Sequence, residues 1–408
     1  MHGACRQRRG RRSGSGPETG GQVNSVRRNC MKYVSLLLHM YQPPTQDPGM
    51  VARIDTECYT PLSRLLADTG ARVAVNMNYS LTQQLADMGS EALKNLAASS
   101  GVEFTDSGAY HPIFPLIGRE DVQRQLRLNR EGNRRLLGDS YEPVGVFPPE
   151  MAYSPELPTI FRGQGYRWTV TDDIPWHWSG KEVPCRRIPM VGDTLVFLRS
   201  NFWSNRISFH GEDGAETARE LIEGLTRWAG SEDAYILIAM DGETFGHHRK
   251  GTVKRFLNPF IRWFFDHEEA DMVTPLELAD LFPPLVEEVP SGSWSTTAGD
   301  LDAGKPWPLW MDRDNSVHVS LWKLLREVRT LAAETRSERV ARLADKMLYS
   351  CPFWWASAGR FDAVQVRRGL LAVLRTAEAV YSQTGDVEMM DRIMTSACTM
   401  PVITGEEE

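Results

Sequence analysis

Two carboxylates stand where an acid has chemical consequences: Glu150 in "FPPEMAY" and Asp241 in "IAMDGETFGHH". Each directly follows an apolar, strand-like run. The prolines ahead of Glu150 fix the backbone and remove amide donors, which places its carboxylate on a stiff turn. Gly242, after Asp241, permits a backbone geometry or a close approach that a Cβ would forbid. A pair of carboxylates at neighbouring strand ends is what glycoside hydrolysis requires: one attacks or steadies the sugar C1, and the other, its pKa raised, protonates the leaving oxygen. Metal chemistry is the rival on residue types alone, because His39, His111, His247, His248 and nearby Asp side chains are acceptable ligands for zinc or a harder divalent ion. No HxxxH or HExxH spacing supports it, and adjacent residues such as His247 and His248 diverge on a regular strand or helix.

The elements that must position these groups are legible as an alternation. Strand candidates run over residues 33–39, 72–78, 102–108, 144–150, 167–173, 235–243 and 271–277, rich in Val, Ile and aromatics and bounded by Gly, Pro or Asp. Amphipathic stretches such as "YTPLSRLLADTG" and "EDVQRQLRLNREGNRRLLG" lie between them. Strand and helix in turn imply parallel strands with helical crossovers, hence an α/β barrel or a doubly wound sheet. In such folds the site lies at the carboxyl ends of the strands. Those ends carry His39, Tyr41 and Gln42, then Asp106, Tyr110 and His111, then Glu150, Asp172 with Asp173, Asp241 with Glu243, His247 and His248, and finally Glu277. Helix caps explain a few acids, but not His, Gln, Tyr and Glu collected on one rim.

Residues 181–216 break the rhythm and are expected to be an insertion of short strands and loops. After residue 285 a long turn-rich connection carries Trp294 and Trp310, and connections of that length are usually functional or linkers. Three amphipathic helices follow, around residues 316–334, 336–349 and 362–384, with a short one near Val387. The expected organisation is therefore residues 1–30 as a basic leader, 31–285 as a barrel, and 286–408 as a loop plus a helical domain.

Charge sharpens the partner classes. The net charge is −7, yet residues 1–30 hold seven Arg against Glu18 alone, so the remaining body is distinctly acidic. An acidic body would repel nucleic acid, and no run of eighteen or more apolar residues exists to span a membrane. The basic leader lacks an apolar segment, is no signal peptide, and reads as disordered or as an over-extended start, with Met31 as a second start. Six Cys without a close pair indicate neither a zinc ribbon nor a disulfide framework, and a reduced, cytoplasmic setting is expected.

At these motifs the chain resembles glycoside hydrolase family 57, an α-glucan-active family with five short motifs along a (β/α)7 barrel followed by a helical domain. "HMYQPP" from His39 is similar to the first motif, "SGAYHPIFPLI" to the second, "FPPEMAYSPELP" to the third, "MDGETFGHH" to the fourth and "TPLELAD" to the fifth. The resemblance implies that Glu150 is the nucleophile and Asp241 the general acid/base. Two departures stand out: Tyr41 where the family usually has a second His, and Phe147 where many members have Trp. Tyr still donates a hydrogen bond and offers a face to a sugar.

The resemblance implies an incomplete (β/α)7, TIM-like barrel and a retaining double displacement on α-1,4-glucan, without cofactor or metal. Retention places the carboxyl groups about 5 to 5.5 Å apart. His39, Tyr41, Gln42, His111, Asp173 and His247 are the expected contacts to sugar hydroxyls, Trp294 and Trp310 the expected stacking platforms, and Glu243 a support for the Asp241 loop. The alternatives are a metal-dependent deacetylase or mannosidase on a related barrel, and a catalytically inactive carbohydrate-binding homologue.

Overall fold

The structure, a computed structural model, describes residues 30–400; the leader expected over residues 1–30 lies, but for Cys30, outside them. Among the described residues ten strands occur in chain order: β1 Lys32–Met40, β2 Val73–Met77, β3 Val102–Thr105, β4 Gly145–Val146, β5 Trp168–Asp172, β6 Ile188–Val191, β7 Thr194–Arg199, β8 Ala234–Asp241, β9 Ala270–Met272 and β10 Pro284–Val286. β1 and β8 read as near-continuous apolar runs, "KYVSLLLHM" and "AYILIAMD", and are buried along almost their whole length. Strands whose inner face lines a packed barrel and whose outer face lies under crossover helices demand that composition.

Parallel pairing runs β1–β2–β3, crosses to β4 through the Asp106–Val146 bridge, continues β4–β5–β7–β8 and returns to β1. Seven strands thus close into a barrel, filled inside by Leu37, Ala74, Phe147, Trp168, Phe197 and Leu237. The register sets the site. His39 lies opposite Asp241 on one side and opposite Asn76 on the other, so three polar groups share one level at the carboxyl rim.

One barrel strand differs from expectation. The seventh candidate becomes β9, which pairs with only the first three residues of β1, and the ring position belongs to β7, from the stretch expected to be an insertion. The physical reason is that β7 serves two partners. It pairs antiparallel with β6 around Gly192, which has φ of 58°, as any inserted hairpin would, while its length also pairs parallel with β5.

Beyond the barrel, helices span Ser316–Glu334, Glu338–Lys346, Cys351–Trp355, Ala363–Thr384 and Val387–Cys398. Asn315, Ser337, Asp362 and Asp386 cap four of these by accepting first-turn amides. Their shared core includes Trp310, Leu321, Trp322, Val328 and Phe353, and also takes in Ile113 and Ala152 from the barrel rim. Arg124 on the barrel helix Arg119–Leu137 clamps Asp345 with contacts of 2.7 to 3.0 Å. The helices are thereby pressed against the rim that carries the acids. Among the described residues no helix is long and apolar enough to cross a membrane.

Candidate active site

A cleft of about 1260 Å³ opens between the barrel rim and the helical part. Its lining includes His39, Tyr41, Gln42, Glu150, Asp241 and Trp294 from the expected set.

Glu150 sits on the turn after β4 with φ of 61°, and Met151 follows with φ of 50°. Its two prolines lead the chain into this left-handed step. A non-glycine residue there costs on the order of 1 to 3 kcal/mol, and only surrounding contacts sustain it. Trp294 supplies one, donating its indole N–H to Glu150 Oε2 at 2.8 Å. The Glu150 side chain is 19 % exposed and lines the cleft. Burial and the charge of Asp241 push its pKa up to about 8, against the opposing pull of the Trp294 hydrogen bond.

His111, with φ of 61°, is the third strained residue at the site. It is fully buried, lies under Tyr41 with ring centroids 3.9 Å apart, and places Nδ1 3.9 Å from Glu150 Oε1. A chain of hydrogen bonds runs from Asn76 Oδ1 to His39 Nδ1 at 2.7 Å, from His39 Nε2 to His111 Nε2 at 3.1 Å, and from His111 Nδ1 to Ser350 Oγ at 2.9 Å. All four imidazole nitrogens are therefore engaged. Burial pushes the pKa of both rings down and leaves them neutral. Phe147, where many members of the resembled family have Trp, is fully buried in the barrel core, stacks on His39 at 4.6 Å and meets Trp294 edge-on, so it backs two residues of the cleft lining.

Glu243 is a support. It accepts from the Tyr41 amide at 3.2 Å, from Gln42 Nε2 at 3.4 Å and from the Tyr59 hydroxyl, and burial with the nearby Asp241 charge raises its pKa. The first and fourth motifs are tied together through it.

Four expected contacts fall elsewhere. Trp310 is wholly buried in the core of the helical part, where its bulk fills volume, so it has no free face for a sugar. Asp173 accepts from the Asn201 amide at 3.2 Å and serves the start of the helix Asn201–His210; burial beside Asp172 raises its pKa to about 7. His247 turns away and bonds Glu57 through Nδ1 at 2.7 Å, while exposed His248 takes the place on the cleft. His111 lies beneath the cleft lining, as part of the floor that holds Tyr41.

Other cleft residues carried no sequence expectation. Arg199, at the carboxyl end of β7, is buried, bonds Asp172 at 2.6 Å and the Ala239 carbonyl at 2.7 Å, and holds its guanidinium 5.8 Å from the Trp294 ring. Counting β7 in the ring would have flagged it by the same strand-end rule that found the others. Cys351 and Trp354 come from the helical part, and the Cys351 thiol lies 3.5 Å from the Tyr41 hydroxyl. Among the described residues no group of three or more His, Cys, Asp and Glu side chains is gathered so as to hold a metal ion.

Seven parallel strands closed into a barrel, with two interacting acids at its carboxyl rim, define the class of β/α-barrel proteins built as glycoside hydrolases are. Residues 31–290 match the profile of Glycosyl hydrolase family 57, and the chain belongs to that family. An α-amylase of Pyrococcus abyssi is 25% identical over 257 residues, which are 57% of this chain and 36% of that one. A 4-α-glucanotransferase of Thermococcus kodakarensis is 26% identical over 147 residues, 35% of this chain and 22% of that one. The matches thus span about a third or less of these curated relatives. Of the solved structures, a branching enzyme of this family from Pyrococcus horikoshii superposes with a TM-score of 0.70 at 15% identity, covering 91% of this chain and 96% of that one. A 4-α-glucanotransferase from Thermococcus litoralis gives 0.68 at 18% identity, covering 85% and 59%. These two share the fold, barrel and helical part alike.

Proposed function

We propose that the protein acts on α-1,4-linked glucan by a retaining double displacement, as a glycosidase or transglycosylase. The observation that carries this is that Glu150 and Asp241 line one cleft at the carboxyl rim of the barrel. Family membership and curated relatives named α-amylase and 4-α-glucanotransferase support the substrate class.

In the first step Glu150 attacks the sugar C1 while Asp241 gives its proton to the glycosidic oxygen, and the C1–O bond breaks to leave a covalent glycosyl-enzyme. In the second step Asp241 takes the proton of water or of a sugar hydroxyl, whose oxygen displaces Glu150. The attacking form needs a proton on Asp241 and the charge on Glu150. The Trp294 N–H, donated to Glu150, favours that distribution. Trp294 and the face of Tyr41, both on the cleft, are the groups available to hold the sugar.

Incubation with maltoheptaose tests the reading. Products only shorter than the substrate mean hydrolysis, longer ones transfer, and new 1,6 linkages branching. Anomer-resolved NMR of the first product tests retention: an initially β-configured product overturns the double displacement, and no turnover of any α-glucan overturns the substrate class.

A further inference from the structure

The helix Asn201–His210 follows β7 and carries two rings that folding leaves in water. Phe202 is 63% exposed and Phe209 72%, the two most exposed aromatic side chains among the described residues. Seven positions apart on a helix of about 3.6 residues per turn, they share one stripe about 10 Å long. A single exposed apolar residue is ordinary, whereas an aligned pair that runs into a cleft marks a contact surface. The other side of the helix is fastened down. Ser204 and Ile207 are buried, the Ser204 hydroxyl accepts from the Ala239 amide of β8 at 3.1 Å, and Asn205 accepts from buried Arg199 at 2.9 Å. The rings therefore stand on a fixed support.

Phe209 and its neighbour Ser208 line the same cleft as Glu150 and Asp241. The acids lie toward its floor, and so exposed a ring stands at its mouth. The surroundings of that ring are polar. Ser208 Oγ gives its hydrogen to the Ser204 carbonyl at 2.8 Å and keeps lone pairs free, and His248 and Arg249 belong to the same lining. An apolar peptide needs an apolar surround, which one ring amid hydroxyl, imidazole and guanidinium does not give. A hexose matches it, with a flat C–H face for the ring and a rim of hydroxyls for the polar groups.

We propose that Phe209 is the stacking platform of a remote sugar subsite at the mouth of the cleft, and that Phe202, two helical turns earlier, extends it for longer chains. The ligand class, a linear α-1,4-glucan, rests on the reading under Proposed function; the exposure of the rings and their continuity with the cleft do not. A short oligosaccharide that fills the floor of the cleft does not reach Phe209. The platform therefore adds affinity only for chains long enough to extend from the acids to the mouth.

Calorimetric binding to the full-length chain, carrying Glu150→Gln to prevent turnover, tests this. Adding Phe209→Ala is expected to leave Tm unchanged, because the ring buries little, to weaken maltoheptaose binding about 10-fold and to change maltotriose binding by less than about 2-fold. Phe209→Trp, which keeps a platform, restores maltoheptaose. Phe202→Ala should spare maltoheptaose and weaken a longer maltodextrin, and an unaltered longer chain overturns the part given to Phe202. Equal losses for the short and the long chain, or none, overturn the platform; turnover of maltoheptaose by the wild type then leaves the reaction standing. Length-dependent binding through Phe209 in a wild type inert on every α-glucan leaves the platform standing and removes the reaction instead. Cellohexaose bound as tightly as maltoheptaose overturns the ligand class. A dimer in sedimentation that Phe209→Ala disperses would make a second copy of the chain the occupant and overturn the proposal.

Discussion

Glu150 is held where its charge is disfavoured, and that has consequences for both rate and stability. With a folded-state pKa of about 8 it stays protonated where an unfolded carboxyl has already ionised. The folded chain then binds more protons than the unfolded one, so stability falls as pH rises from the ordinary carboxylate range through about 8. Glu150→Gln removes that penalty. It is expected to abolish turnover, by about 10³-fold or more, while binding of maltoheptaose persists, and to raise stability at pH 9 by on the order of 1 to 2 kcal/mol, with little gain at pH 4. Urea denaturation at the two pH values checks the second half, and an equal gain at both would remove the charge argument. Trp294→Phe keeps a ring but deletes the N–H that stabilises ionised Glu150. The pKa of Glu150 then rises, and the limb of kcat/KM that reports its ionisation moves to higher pH; a limb that stays put or moves down contradicts the role given to the indole. At this scale the sequence was informative about which side chains gather, because type and strand-end position suffice for that. It was silent on direction: His247 and His248 are adjacent in sequence, and only the turn between Gly242 and Gly251 decides that His247 meets Glu57 while His248 faces the cleft.

Elements carry the site through a few tight turns. Gly246 has φ of +118°, and a Cβ there would stand 2.0 Å from the carbonyl oxygen of Glu57, on the segment that also brings Tyr59 to Glu243. Gly246→Ala is expected to destabilise the fold by roughly 1 to 3 kcal/mol and to lower kcat with it, since the backbone rather than a flexible tip must yield. Thermal unfolding and maltoheptaose turnover measured on one preparation check this, and an unchanged Tm would show that the loop relaxes freely. Strand legibility followed the same physics. β1 and β8 are apolar because both faces are covered, and the composition announces it. β7 is equally central, yet its antiparallel pairing with β6 gives it the local pattern of a hairpin, and a pairing with β5 and β8 many residues away leaves no local trace.

For the whole molecule, the helical part completes the cleft, and a buried ion pair holds it there. Asp345 is almost wholly buried and Arg124 about a quarter exposed. Arg124→Met leaves the carboxylate without its bidentate partner and is expected to cost roughly 2 kcal/mol, a discounted value for a pair that water partly reaches. Chemical denaturation measures it; a variant as stable as wild type would mean that Arg329, 3.9 Å from Asp345, takes over. Because Ser350 and Cys351 follow Asp345 closely, the same variant should also lose activity before it unfolds.

The linear chain was enough to show the alternation of strands and helices and the rim on which acids and imidazoles meet. Those follow from periodicity and residue type, which are local properties. Which aromatic rings are free was a different matter. Trp294 and Trp310 share one loop and one chemistry, yet the first bonds Glu150 in the cleft and the second fills the core of the helical part. The place of Ser350 beside His111, 239 residues away, was equally unreadable. Contacts of that kind arise from how two packed bodies meet, and burial and hydrogen-bond partners depend on that meeting rather than on any neighbouring residue in the chain.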